Sequence, residues 1–205
     1  MPLQLADLQR GDIMLKEFDG YSIVGAAISY GQYLLTSDHL FSSIVHAGIL
    51  FDKMHIIESS GGGVAANHLL TGNRAYSYHV FRSVNADLAD GTGTCAKVFF
   101  DIHKTHRTMN YSVPGAVKSL FRRHKAAQSP EDMDDLLTEV LGHRGNQFFC
   151  SQFVVYIYQF VSYQLNQHAP PVFQLNAGNV NPAKLARMLR GMPQQFTYIG
   201  HLLPR

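Results

Sequence analysis

Short apolar runs bounded by turn residues fill much of the first eighty positions, and helical spacing dominates afterwards. Gly11-Asp12 before Ile13-Met14-Leu15 predicts a turn that opens a short buried strand. Ile23, Val24, Ala27, Ile28 and Leu35 recur at helical spacing, so a helix is expected over 22–35. Residues 44–51 (IVHAGILF) and 55–59 (HIIES) predict two strands, joined through Asp52-Lys53-Met54 as a hairpin. Gly61-Gly62-Gly63 breaks the pattern, and 76–82 alternates as a further strand. Periodic apolar positions then predict helices over 94–106 and 113–124, with Ser112 as N-cap of the second. Ser129-Pro130-Glu131-Asp132 combines a capping Ser, Pro at the first helical position and acids in the first turn; that helix should stop at Gly142. Phe149, Phe153, Val154, Ile157, Tyr158, Val161 and Leu165 share one broad face, giving a long helix from about Cys150. Asn181-Pro182 starts a last helix that Gly191 ends, and 196–203 should close the chain as a strand. Segments 85–93, 126–128 and 167–179 read as surface loops. With no internal repeat or low-complexity linker, the expectation is one α+β domain.

Composition narrows this picture without redirecting it. The 205 residues are 46% hydrophobic and 16% charged, enough for one core and short for two domains. A net charge of +2, with basic residues spread along the chain, carries no nucleic-acid footprint. Residues 22–35 and 148–161 are the longest apolar stretches, well below the roughly 20 needed to span a bilayer, so no integral membrane segment is expected. The first fifteen residues hold no continuous apolar run, so the chain is expected to be made in the cytoplasm without a leader. Delivery by a route that reads no N-terminal signal stays open. Two cysteines, Cys95 and Cys150, make no disulfide framework, and no short-spaced ligand pair marks a metal site. No cofactor or metal is expected.

The chemistry centres on Cys150. It stands where the irregular Asn146-Gln147-Phe148-Phe149 runs into an amphipathic helix. A thiol there feels the positive end of the helix dipole, and the free first-turn N–H groups are ready donors to an oxyanion. A cysteine filling a core gap is the plainer alternative. His46 lies amid apolar strand residues, where a core histidine is the default. The hairpin changes that weighting. If Asp52–Met54 is the loop, Gly48 faces Glu58, and His46 and Glu58 become diagonal neighbours on one face. If Phe51–Lys53 is the loop, they stand directly opposite; an even-numbered loop would separate them. A carboxylate among apolar strand residues is costly to bury alone, and His46 is the nearest candidate partner. Cys150, His46 and Glu58 would then supply nucleophile, base and orienting carboxylate. His79, on an alternating strand, competes with Glu58 for the third role. Cys95 reads as structural and His55 as a turn residue.

Four segments in this order resemble the permuted NlpC/P60 superfamily, in particular its YiiX/YebB-like branch of bacterial papain-fold hydrolases. They are Gly11-Asp12-Ile13, His46-Ala47-Gly48-Ile49, Ile56-Ile57-Glu58 and Phe149-Cys150-Ser151-Gln152-Phe153-Val154, with Asn181-Pro182-Ala183-Lys184-Leu185 and Phe196-Thr197-Tyr198-Ile199-Gly200 adding to the likeness. The resemblance implies a circularly permuted papain-like fold over 1–205, a small antiparallel sheet packed against helices, and a helical insertion around 85–144. It implies a thiol hydrolase whose catalytic residues map onto Cys150, His46 and Glu58. Many members cleave peptidoglycan stem peptides, which suggests a cell-wall peptidase or amidase, delivered as an antibacterial effector and paired with an immunity or adaptor protein. Permuted relatives also include lecithin:retinol acyltransferase-like enzymes and lipid hydrolases, so an acyltransferase or lipid esterase is the alternative. A non-catalytic binding domain on the same fold is a third reading, against which the candidate triad argues.

Overall fold

The computed structural model describes residues 3–18, 20, 26, 28–30, 32–33, 41–60, 63–73, 76–106, 109–111, 146–148, 150–166, 171–177 and 180–204. The molecule is α+β. Six strands form one antiparallel sheet: β1 (Ile13–Glu17), β2 (Ile44–Leu50), β3 (His55–Ser60), β4 (Gly63–His68), β5 (Tyr78–Ser83) and β8 (Phe196–Leu202), in the order β4-β3-β2-β1-β5-β8. Helices α1 (Ala86–His106), α2 (Cys150–Leu165) and α3 (Pro182–Gly191) accompany it, and β6 (Met109–Tyr111) pairs in parallel with β7 (Asn146–Phe148).

Alternation along the strands builds two cores. Ile13, Leu15, Ala47, Ile49, Ile57, Val64 and Phe81 turn to the helices, where Val154, Ile157, Tyr158 and Leu185 meet them. Met14, Leu50, Ile56, Tyr78 and Val80 point the other way and pack with Leu8, Leu69 and Leu202. Both faces are covered, which explains why β1 and β2 read as nearly continuous apolar runs.

The turn before β1 ties the halves together. Gly11 takes φ +82°, a conformation that favours glycine, and its carbonyl accepts from the buried Tyr158 hydroxyl at 2.6 Å. Asp12, fully buried, accepts from Arg82 Nε and Nη2 at 2.7 and 2.8 Å and from the Gln9 amide at 2.8 Å.

Two expectations need correction. Segment 85–93 is not a loop: α1 begins at Ala86, with the Leu88 amide donating to Asn85 Oδ1 at 3.1 Å. Gly91 and Gly93, which suggested a loop, are places where the helix packs too closely for a side chain. A Cβ on Gly91 would lie 2.7 Å from Val161 Cγ1, and one on Gly93 would lie 2.9 Å from the Gly11 nitrogen. Strand β4 was not foreseen, because its sequence GVAANH is weak in β-formers and borders the glycine run. The predicted helices over 113–124 and from Ser129 to Gly142 lie outside the described residues. So does much of 22–35, where residues 26, 28–30 and 32–33 are helical. No described helix is long and apolar enough to cross a membrane.

Candidate active site

The β2–β3 hairpin has the register in which Asp52–Met54 is the loop. Gly48 pairs with Glu58, Ile49 with Ile57 and Leu50 with Ile56, and the Phe51 amide donates to the His55 carbonyl. Asp52 sets the turn, its Oδ1 accepting from the amides of Met54 and His55 at 2.8 and 2.7 Å. His55, expected in the turn, is the first residue of β3, its ring nitrogen 2.9 Å from Asp52 Oδ2. The register makes His46 and Glu58 diagonal neighbours, with His46 Nε2 3.4 Å from Glu58 Oε1. Gly48 between them is sterically required: a Cβ there would meet Ile56 Cδ1 at 2.7 Å and the Ile57 carbonyl oxygen at 2.8 Å.

Glu58 is buried and held from behind. Its Oε2 accepts from Asn67 Nδ2 at 2.8 Å and Asn73 Nδ2 at 3.2 Å. Its Oε1 has no hydrogen-bond partner among the described residues and faces the imidazole. The anchored oxygen fixes the carboxylate plane and leaves the other directed at His46.

Cys150 is the first residue of α2 and 2% exposed. It belongs to the helix-side core, whereas His46 alternates with Gly48 and Leu50 onto the opposite face. Two irregularities of the sheet lie beside His46. β3 pairs with β2 only as far as Gly48; beyond it Gln32 Nε2 reaches the Ile44 carbonyl. The β1–β2 ladder shifts register beside it, Lys16 pairing with His46 but Glu17 with Ile44. The Cys150 side chain lies within interacting reach of the His46 ring. Burial alone would push the His46 pKa down, and the Lys16 charge adds to that. The Cys150 charge and hydrogen bond, followed by the Glu58 charge, outweigh both and raise it.

Neighbouring residues hold the frame. Ser151, fully buried, donates to the Val180 carbonyl and ties the start of α2 to the approach of α3. Gln32 is fully buried; its Nε2 donates to the Ser42 and Ile44 carbonyls at 3.1 and 2.8 Å, and its Oε1 accepts from the Ala183 amide at 3.0 Å. It links the lead-in of β2 to α3. Asn67 and Asn73 escaped the sequence reading. A polar residue alternating with Ala65 toward the Glu58 side was the available signal for Asn67, once β4 is known to be a strand.

His79 is not part of this constellation. It pairs with Leu15 and so faces the other side of the sheet from His46, where it meets Glu17 and Tyr198. Cys95, in α1, is half-buried, and burial pushes its thiol up to about 12. The chain thus carries one cysteine against an imidazole and one kept protonated by its surroundings. Comparisons with protein-family models, curated proteins and solved structures found no match to this chain.

Proposed function

We propose that the chain is a cysteine hydrolase of the papain-like type on a circularly permuted NlpC/P60-like fold, acting on amide bonds of peptidoglycan stem peptides. The observation that carries this reading is the contact of Cys150, at a helix start, with His46, whose Nε2 faces the buried Glu58 carboxylate at 3.4 Å. The order along the chain, base before nucleophile, fits the permuted branch that the motifs resemble.

Each group has a task in such a reaction. His46 takes the Cys150 proton, and the thiolate adds to the carbonyl carbon, pushing its electron pair onto oxygen. First-turn N–H groups of α2 offer hydrogen bonds to that oxyanion. The intermediate collapses to a thioester as the imidazolium protonates the departing amine. His46 then takes a proton from water, whose oxygen attacks the thioester; the acid leaves and the thiol is restored. Glu58 holds the ring in one orientation and stabilises its charged form through both proton transfers.

The test is mass spectrometry of purified muropeptides and phospholipid vesicles after incubation with the protein and with Cys150→Ala. Loss of one stem-peptide amide, with glycan chains intact and only with the parent protein, is expected. Fatty acid release with muropeptides untouched would replace this substrate by the lipid ester or acyl-transfer alternative. An enzyme of this kind would act on the wall after delivery from its producer, which would need an immunity partner.

A further inference from the structure

A second cluster of functional side chains occupies the helix-side face of the sheet, where three adjacent strands converge. His79 of β5 pairs with Leu15 of β1 on one side and His201 of β8 on the other. Glu17 follows Leu15 by two residues and therefore shares its face. Glu17 Oε1 lies 3.2 Å from His79 Nε2, and Glu17 Oε2 lies 2.9 Å from His201 Nε2. One ligand atom from each residue can be chosen so that all three lie within 4.8 Å of one another. None of these groups belongs to the Cys150 site.

From this geometry we propose that Glu17, His79 and His201 bind a divalent transition metal, zinc foremost. Two imidazoles with one carboxylate suit zinc and its first-row neighbours, whereas magnesium and calcium want shells of oxygen. Tetrahedral bonds of about 2.0–2.2 Å separate neighbouring ligand atoms by about 3.3–3.6 Å. The two Glu17–imidazole contacts, 3.2 and 2.9 Å, lie a little inside that range, and the three chosen ligand atoms lie within 4.8 Å of one another, so modest side-chain shifts would admit the ion. The side chains are 28%, 30% and 40% exposed for Glu17, His79 and His201, so an ion can enter from solvent and water can complete its shell.

Outer contacts already orient the ligands. The Tyr198 hydroxyl is 2.9 Å from His79 Nδ1, leaving Nε2 for the metal, and Ser77 Oγ donates to Glu17 Oε2 at 2.7 Å. Tyr198 is itself fixed between the Phe81 ring, 5.1 Å away by centroids, and the Arg190 guanidinium at 4.7 Å. Sequence spacing gave no sign of this site because its ligands come from three strands far apart along the chain. The ion would pin β8 to β1 across β5.

The test is titration of the metal-free 205-residue protein with zinc chloride, followed by calorimetry and thermal melting. One bound equivalent and a metal-dependent rise in melting temperature are expected. His79→Ala and His201→Ala should each weaken binding about tenfold or more and remove that rise. Diethyl pyrocarbonate mapping of the parent protein needs no variant to fold: zinc should shield His79 and His201 while His46 labels as before. No stoichiometric binding by the parent, equal labelling of His79 and His201 with and without zinc, or protection confined to His46 would each overturn the proposal.

Discussion

Glu58 gives His46 one carboxylate oxygen and spends the other on two asparagines. Because Oε1 has no other partner among the described residues, its bond to an imidazolium can tighten when that charge forms. His46→Ala should therefore lower turnover by about a hundredfold or more, the usual contribution of a general base. Glu58→Gln should cost less, about ten- to a hundredfold, the worth of one hydrogen bond to a charged group. Steady-state rates with folding checked by circular dichroism measure both. Full activity in Glu58→Gln beside a dead His79→Ala would transfer the third role to His79.

Thiol reactivity should separate the cysteines. Cys150 has the His46 imidazole beside it, while the Cys95 thiol is pushed up to about 12 by burial. Iodoacetamide at mildly acidic pH should modify Cys150 much faster than Cys95, and His46→Ala should narrow the gap. Peptide mapping of the alkylated protein reads the ratio; equal rates would remove the basis for a nucleophile at Cys150.

The pH response follows from His46. Its pKa in the folded protein is raised above the ordinary 6.5, so the charged ring persists to higher pH than in the unfolded chain. The associated stability is fully present below the unfolded value and is lost as pH rises through the folded one. Since the Glu58 charge is one of the raising influences, Glu58→Gln should move the basic limb of the activity profile, and this loss of stability, to lower pH. Urea midpoints across neutral pH, measured for both proteins, test the direction. A shift to higher pH would contradict it.

Glycine substitutions offer a contrasting pair. In Gly11→Ala the new Cβ would lie 1.9 Å from the Ala89 carbonyl oxygen at φ +82°, with only backbone to yield. A cost of about 2–5 kcal/mol combines the left-handed penalty with overpacking. Gly191→Ala, in the last turn of α3 with nothing within 4 Å, should be neutral or stabilising by up to about 1 kcal/mol. Denaturant midpoints should move in opposite directions, or only the first should move.

Much of the frame and the site was legible because the signals were local. Pattern alone gave β2, β3 and β8, and cap chemistry marked both ends of α3; the Lys184 amide donates to Asn181 Oδ1 at 2.7 Å. The proximity of His46 and Glu58 followed from counting loop residues. What stayed hidden depends on tertiary approach. Gly91 and Gly93 look like helix breakers until the packing of α1 against Val161 and Gly11 is seen. Asn67 gains meaning only from the β3–β4 register that brings it to Glu58, Asn73 only from the turn after β4 that returns to Glu58, and the Glu17–His79–His201 cluster only from the strand order β1-β5-β8.

The departure of β3 from β2 beyond Gly48 has a consequence for how the molecule matures. The hairpin that carries His46 and Glu58 closes a loop of three residues and can form early, while the chain is still short. Cys150 arrives about a hundred residues later and reaches His46 only when α2 docks against β2. On the proposed reading, the Cys150–His46 pair forms only once α2 has docked. A chain in which α2 has not docked would hold the His46–Glu58 pair apart from Cys150.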